Sequence, residues 1–203
     1  MDLSDPSVLY HEGYQQGSVE EKALRAAEVI AAAIASEFQP DSVLDVGSGA
    51  GALVRAFLLL GKDSRGVDGS LHIKHVAEQV WGGDAFLDIA DLRKPYFAGR
   101  KFDVVTCFDV AEHIEEQYAG TLCRTLVNNT NDGGHILLGP APEGQDGVGH
   151  VNLQHPTYWI EKMENYGAKL LPHVSERLRR SIRLRPEHNT LWWVAKNLMV
   201  FRA

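Results

Sequence analysis

The chain has 203 residues, 44% of them hydrophobic, and a formal net charge of -7 at pH 7. This length suits one domain with a substantial core. The acidic balance argues against broad adhesion to nucleic acid, which draws its affinity from clustered lysine and arginine. We therefore expect a single domain over residues 1–203 that has no nucleic-acid partner and acts on small molecules or proteins.

The apolar segments and the cysteines indicate a cellular setting. Runs such as 31–35 and 56–60 fall far short of the roughly 20 residues that span a bilayer. Residues 1–6 have neither the basic start nor the apolar run of a secretory signal. Cys107 and Cys123 lack metal-ligand spacing, so we expect reduced thiols. These features predict a cytoplasmic protein without a membrane segment.

Short apolar strands alternate with helical stretches along most of the chain. The alanine and isoleucine stripe of residues 19–38 predicts a first helix. A strand (42–46), a glycine turn and a helix (52–60) follow. Further strands are predicted at 64–67, 85–87, 102–107 and 134–138, and further helices at 71–80, 112–127 and 156–166. This alternation predicts an α/β fold with a doubly wound, mostly parallel sheet and helices on both faces.

The C-terminal tail departs from this alternation. Residues 169–174 and the segment from 192–194 through 200–201 are interpreted as strands, separated by an arginine-rich stretch. We expect them to form an antiparallel pair that ends the sheet. The glycine-rich stretch 139–149 is long for a connection inside a compact domain, which is typical of functional or mobile loops.

Three glycines stand where a parallel sheet binds its ligand, beyond the carboxyl end of the first strand. Gly47, Gly49 and Gly51 let the backbone approach a ligand at the start of the next helix. The spacing Gly47-x-Gly49-x-x-Ala52 also fits the dinucleotide fingerprint of Rossmann-like folds. Asp68, after the second strand, is placed to accept hydrogen bonds from ribose hydroxyls. The loop alone therefore does not identify the cofactor. An ordinary tight strand-to-helix turn would show the same glycines.

Successive phrases of the sequence resemble, in order, the motifs of class I S-adenosylmethionine-dependent methyltransferases. They are residues 44–51, 66–70, 91–92, 102–105, 110–113 and 133–138. Residues 149–154, followed by Tyr158 and Trp159, are similar to a subgroup of small bacterial and phage-associated methyltransferases that often act on sugars or other small molecules. Tyr158 and Trp159 themselves are better interpreted as core aromatics.

The resemblance implies S-adenosyl-L-methionine as cofactor and assigns residues to each part of it. The methionine part would lie against Asp45, Gly47, Gly49 and Gly51, the ribose against Asp68 and Gly69, the adenine against Asp91 and Leu92, and the sulfonium above Phe108 to Val110. Asp88 is an alternative to Asp91. We expect no metal ion, because His72 with His75 on one predicted helix face lacks the further ligands of a metal site.

Two histidines are candidates for the base that takes the acceptor's proton. His113 follows the fourth strand, where it could instead only brace a helix. His150 lies in the glycine-rich loop that leaves the fifth strand at the same rim, and the glycines would let that loop close over a substrate.

Two further segments bear on the acceptor. Residues 1–17, with Tyr10, His11 and Tyr14, could form a flexible lid over the cofactor or be a disordered terminus. The arginines between Arg177 and Arg185 are interpreted as a solvated helix face, with the alternative that they attract an anionic substrate such as a phosphorylated or nucleotide-linked sugar.

The sequence thus predicts methyl transfer to a hydroxyl or amine of a small molecule, for which a sugar or nucleotide-linked sugar is a candidate. An NAD(P)-dependent oxidoreductase on the same glycine spacing is the alternative from another enzyme class. A non-catalytic module that binds S-adenosylmethionine is the third hypothesis.

Overall fold

The computed structural model describes residues 18–83, 86–184 and 192–203, so the predicted lid over residues 1–17 lies outside the described residues. The elements, in chain order, are α1 (Ser18–Phe38), β1 (Ser42–Val46), α2 (Ala52–Leu59), β2 (Asp63–Asp68), α3 (His72–Trp81), β3 (Leu87–Ile89), β4 (Phe102–Phe108), α4 (Ala119–Asn128), β5 (Thr130–Gly139), α5 (Pro156–Asn165), β6 (Lys169–Leu170), α6 (Pro172–Arg183), α7 (Trp192–Asn197) and β7 (Met199–Arg202).

The strands form one seven-stranded sheet in the order β3-β2-β1-β4-β5-β7-β6. The pairs among β1 to β5 are parallel, whereas β7 is antiparallel to both β5 and β6. The strand order reverses direction between β1 and β4, and ligands of doubly wound sheets bind at such a switch point. The predicted fold class, including the antiparallel end of the sheet, is confirmed.

Strand periodicity explains the two hydrophobic layers. Successive side chains of a strand point to opposite faces of the sheet. On β1, Leu44 faces the layer that includes α4 and α5, whereas its neighbour Val43 faces the layer that includes α1, α2, α6 and α7. Val105 and Val104 divide in the same way on β4. Both faces are therefore buried, as a mostly parallel sheet requires.

The predicted strands of the tail are wrong in extent. Only Lys169 and Leu170 form a strand there, because Pro172 begins helix α6 at a position where its missing N–H costs nothing. Helix α6 buries Ser175, Leu178 and Ile182 at helical spacing. Residues 192–197 are also helical, so the last strand begins only at Met199.

The single helix predicted over residues 112–127 is also wrong at its start. Two short 3-10 turns, Ala111–His113 and Glu116–Tyr118, precede α4. Ile114 between them is extended, with φ -97° and ψ 120°. The break turns Glu112 into the protein interior, where it is fully buried. Among the described residues, no helix combines the length and the apolar character that crossing a membrane requires.

Candidate functional site

The glycine loop after β1 is a tight backbone cradle. Gly47, Gly49 and Gly51 have positive φ values of 80°, 51° and 84°, which side-chain-bearing residues rarely adopt. The backbone N–H groups of Gly47 and Ser48 both donate to the Val67 carbonyl of β2, at 2.7 and 3.1 Å. A Cβ at Gly47 would lie 2.1 Å from Cγ2 of Val110. Val110 therefore closes one wall of the cradle, and only glycine fits opposite it.

We expect Gly47→Ala to destabilise the protein by more than the cost of a positive φ alone. The matched control is Gly61→Ala, because Gly61 has a φ of 73° and no atom within 4 Å of an added Cβ. The control should lose about 1–2 kcal/mol of unfolding free energy and Gly47→Ala about 1–3 kcal/mol more, through the clash with Val110. Chemical denaturation measures both values. Equal losses in the two variants would contradict the proposed cradle wall.

Asp68, at the end of β2, ties the glycine loop to the next turn. One carboxylate oxygen accepts from the Gly49 N–H and the other from the Ser70 N–H, each at 2.9 Å. Asp68 is 6% exposed, and burial raises its pKa while the backbone N–H groups of Ser70, Gly49 and Gly69 oppose the rise. The carboxylate thus organises the loop and lies at the edge where ribose hydroxyls are expected.

Asp45 is a buried carboxylate on β1 beside the loop. Its Oδ1 accepts from the Thr106 hydroxyl at 2.6 Å, and the side chain forms no ion pair with a described lysine or arginine. Burial raises the pKa of Asp45 from 3.8 to about 7; the Thr106 hydrogen bond opposes this rise, and the neighbouring Asp68 adds to it. A buried carboxylate without a cation is costly. A ligand that brings an ammonium group would relieve that cost.

The two candidates for the adenine contact are both engaged by the chain itself. Asp91 accepts from the backbone N–H and the guanidinium of Arg93 at 2.9 to 3.2 Å, and chiefly that side-chain hydrogen bond lowers the pKa of Asp91. Asp88 accepts from the Tyr96 hydroxyl at 2.7 Å. Leu92 is buried in the core next to Asp91. Asp91 as the adenine contact, with Asp88 as its alternative, therefore stays a prediction.

Glu112 forms hydrogen bonds with both ends of the long loop after β5. Its Oε1 accepts from the Ala141 N–H at 3.0 Å, where the loop begins. Its backbone carbonyl accepts from the N–H groups of Val151 and Asn152 at 2.9 and 3.0 Å, where the loop ends. Burial raises the pKa of Glu112, and its Oε2 is buried without a hydrogen-bond partner among the described residues. Glu112 therefore shapes this loop and carries one unsatisfied oxygen.

The two predicted histidines, His113 after β4 and His150 in the loop after β5, lie side by side. We call this part of the carboxyl edge of the sheet the rim. The rings of His113 and His150 are 4.9 Å apart between centroids and nearly perpendicular, at 73°. Nδ1 of His113 lies 3.0 Å from the Gly149 carbonyl, and Nδ1 of His150 lies 3.0 Å from the Gln145 carbonyl. A carbonyl only accepts, so each neutral ring carries its proton on Nδ1 and keeps the lone pair on Nε2. Burial lowers the pKa of His113, which favours this neutral form.

The remaining predicted residues stand apart from this rim or in the core. Trp159 is fully buried, and Tyr158 packs edge-on against it, as expected of core aromatics. Rings of His72 and His75 are 6.1 Å apart on α3, where His75 bonds Gln79. Phe108 is half-buried and packs against Gly139.

Most described arginines of the cluster form ion pairs or hydrogen bonds with acceptors of the chain itself. Arg177 pairs with Glu37, Arg183 with Glu176 and the Nε of Arg179 with the Leu198 carbonyl. These contacts agree with a solvated helix face on α6. Arg185 lies outside the described residues.

Sequence reasoning missed two contacts of the site. The Thr106 hydroxyl on Asp45 comes from a neighbouring strand, 61 residues away along the chain. Glu112 forms hydrogen bonds with both ends of the loop after β5, at residues 29 or more positions away along the chain. Parallel pairing of β1 with β4 places Asp45 opposite Thr106, so a register prediction for these strands would have found the first contact.

The fold and the glycine cradle agree with the comparison against known families. A methyltransferase domain family matches residues 18–173, which is most of the chain. The chain therefore belongs to this methyltransferase domain family. The family match confirms the resemblance to class I S-adenosylmethionine-dependent methyltransferases and decides between the two cofactors that the glycine spacing allowed.

Three known proteins illustrate the similarity. A ubiquinone biosynthesis O-methyltransferase of Paraburkholderia xenovorans is 33% identical over 91 residues, which cover 42% of this chain and only 39% of that enzyme. DesVI of Streptomyces venezuelae has a similar fold, with a TM-score of 0.66 at 17% identity over 99% of this chain and 98% of DesVI. CalS10 of Micromonospora echinaspora, an amino pentose methyltransferase, gives a TM-score of 0.61 at 16% identity over 92% of each chain.

Proposed function

We propose that this protein transfers a methyl group from S-adenosylmethionine to a hydroxyl or amine of a small molecule, with a sugar as the favoured acceptor. The observation that carries the proposal is the arrangement of the buried Asp45 carboxylate and the glycine cradle at the carboxyl edge of the sheet. The family adds the reaction class.

The proposed donor site fits the chain's chemistry part by part. Asp45 would pair with the ammonium of the methionine part, since it is buried without a cationic partner among the described residues. The open backbone of Gly47, Gly49 and Gly51 would lie along the same part of the cofactor. Asp68, with Gly69, would accept from the ribose hydroxyls, because each carboxylate oxygen has a further lone pair beyond its backbone bond.

The adenine and the sulfonium complete the proposed donor site. Asp91, or Asp88 in its place, would accept from the adenine amino group beside Leu92. Phe108 and Val110 would form the floor under the sulfonium. Bound there, the cofactor supplies a methyl group on a positively charged sulfur.

The acceptor then needs alignment and, at a hydroxyl or ammonium, the loss of a proton. His113 and His150 are the groups at the rim that can accept it, because Nδ1 of each ring is committed to a carbonyl and Nε2 keeps its lone pair. Glu112 would act as a positioning residue, since it fixes both ends of the loop that holds His150.

The acceptor class rests on two kinds of similarity. CalS10 is described as an amino pentose methyltransferase, and the segment from Gly149 to Gln154 resembles enzymes that often act on sugars. An anionic acceptor, such as a nucleotide-linked sugar, is the finer proposal. Arg180 of α6 is exposed and would be available to pair with such an anion.

The test is methyl release from labelled S-adenosylmethionine over a panel of free sugars, amino sugars, nucleotide-linked sugars and phenols. We expect turnover with at least one sugar hydroxyl or amine. Calorimetry with S-adenosylhomocysteine and with NAD accompanies it. Tight binding of NAD alone would contradict the proposal in favour of an oxidoreductase. Binding of S-adenosylhomocysteine without turnover on any acceptor would favour a non-catalytic module.

A further inference from the structure

The rim holds three metal-ligating groups close together. One carboxylate oxygen of Glu112 and one ring nitrogen each of His113 and His150 lie within 4.8 Å of one another. Glu112 is fully buried, whereas the two histidines are half-buried. Two imidazoles and one carboxylate are a ligand set that first-row divalent transition metals favour.

The hydrogen bonds of these groups leave one atom of each for a ligand. Glu112 uses Oε1 for the Ala141 N–H, and its Oε2 is buried with no partner among the described residues. His113 and His150 use Nδ1 for backbone carbonyls, so Nε2 carries the free lone pair. Metal-ligating histidines ordinarily donate their other N–H in this way, which fixes ring orientation and tautomer.

We propose that Glu112, His113 and His150 form a site for one first-row divalent transition-metal ion at the acceptor rim. Ligand atoms about 2.0–2.2 Å from a common ion lie roughly 3–3.5 Å apart. A spread of up to 4.8 Å therefore has to close by about 1.3–1.8 Å, through side-chain rotation. Three protein ligands leave open positions on the ion for water or for a substrate oxygen or nitrogen.

The consequence for catalysis rests on the proposed function. With an ion in place, the two Nε2 atoms serve as ligands rather than as bases. A coordinated acceptor hydroxyl is more acidic, so its O–H bond breaks with the proton passing to water and the electron pair staying on oxygen. The histidines then position and polarise the acceptor through the ion.

The test uses tag-free, full-length protein stripped of metal with a chelator and titrated with Zn²⁺ and with Co²⁺ by calorimetry, with visible absorption for Co²⁺. We expect saturable binding of one ion per chain and a Co²⁺ spectrum of low-symmetry nitrogen and oxygen ligation. His150→Gln and Glu112→Gln should each weaken binding at least 10-fold. Glutamine at position 112 can still accept from the Ala141 N–H, and thermal melting checks that both variants fold.

The double variant His72→Gln/His75→Gln is the matched control, because it removes a second pair of neighbouring histidines, on α3, and should bind as the wild type does. Absence of saturable binding, or binding lost in this control and kept in His150→Gln, would overturn the inference. S-adenosylhomocysteine is titrated into the same stripped protein. If it binds while no metal does, only the metal site fails; if it does not bind, the proposed function fails independently.

Discussion

Asp45→Asn is expected to remove a pH-dependent loss of stability and, in the same variant, to weaken binding of S-adenosylhomocysteine. The pKa of Asp45 is raised to about 7 in the folded protein, with burial as the main cause, whereas the unfolded chain has the ordinary value of 3.8. Between these two values the folded state binds more protons than the unfolded state. The wild type therefore loses stability as pH rises from about 4 to about 7 and loses no more from this group above that range.

The size of the effect follows from the shift. Asparagine lacks this titration, so the free energy of unfolding of Asp45→Asn relative to the wild type should rise by on the order of 3 kcal/mol between pH 4.5 and pH 8. For a chain of this size that corresponds to a relative rise in melting temperature of roughly 5–10 °C. Asp132→Asn, which removes a solvent-exposed carboxylate, should keep the wild-type dependence. Parallel wild-type and Asp45→Asn curves would show that Asp45 carries no such cost.

The same carboxylate should control cofactor affinity with the opposite sign. An ammonium beside Asp45 favours the ionised form, so wild-type affinity for S-adenosylhomocysteine should fall as pH drops below about 7. Loss of a charge-assisted hydrogen bond in Asp45→Asn should weaken binding on the order of 10- to 100-fold at pH 8. Calorimetry at pH 6 and pH 8 checks both statements. Asp45 would then be a residue that lowers stability and strengthens ligand binding.

The donor side of the site was accessible from the sequence because its determinants are local. Five consecutive residues of β1 are buried, and the glycines follow immediately, so strand, turn and helix could be predicted together. Asp68 is likewise the last residue of β2. Each residue takes its position from the strand that it ends, and parallel strands end at one edge of the sheet.

The acceptor side depends on contacts between distant parts of the chain. The strands that precede His113 and His150 predict that both residues lie at the rim. They do not predict which ring nitrogen of each histidine is free to bind a ligand. The free nitrogen follows from the carbonyls of Gly149 and Gln145, in a loop without regular hydrogen-bond periodicity. The role of Glu112 was hidden for the same reason.

Helix α6 shows a different limit of the sequence. Its buried positions are only Ser175, Leu178 and Ile182 in a segment rich in arginine. The apolar stripe is therefore narrow and begins with a hydroxyl group, which bonds the Leu171 carbonyl and the Val200 N–H. A hydrophobic pattern does not reveal such a residue as part of the core, and the sequence pattern predicts strand up to residue 174, in the first turn of α6.

Asp68→Ala is expected to reduce the affinity for S-adenosylhomocysteine at least 100-fold and to lower stability. The carboxylate accepts from the N–H groups of Gly49 and Ser70, and the buried Ser70 would lose its acceptor at a cost of about 1–3 kcal/mol. Loss of the proposed ribose contacts adds to the loss of loop geometry. Asp68→Asn should be intermediate, because its amide oxygen can replace only one of the two acceptors.

The matched control lies on the same strand. Asp63→Asn removes an exposed carboxylate that pairs with Arg100 at the opposite end of β2. It should leave cofactor affinity unchanged and alter stability by less than about 1 kcal/mol. Equal affinity losses in Asp63→Asn and Asp68→Ala would show that removing charge from β2, rather than the ligand contact, is responsible.

Asp68 variants should also report on Asp45. Repulsion from Asp68 is one cause of the raised pKa of Asp45, after burial. In Asp68→Asn the pH-dependent loss of stability should therefore end at a lower pH than in the wild type. The proposed cofactor ammonium would then offset two costs, the burial of Asp45 and its repulsion by Asp68. If the transition stays at about pH 7 in Asp68→Asn, the carboxylates do not interact and the ammonium offsets burial alone.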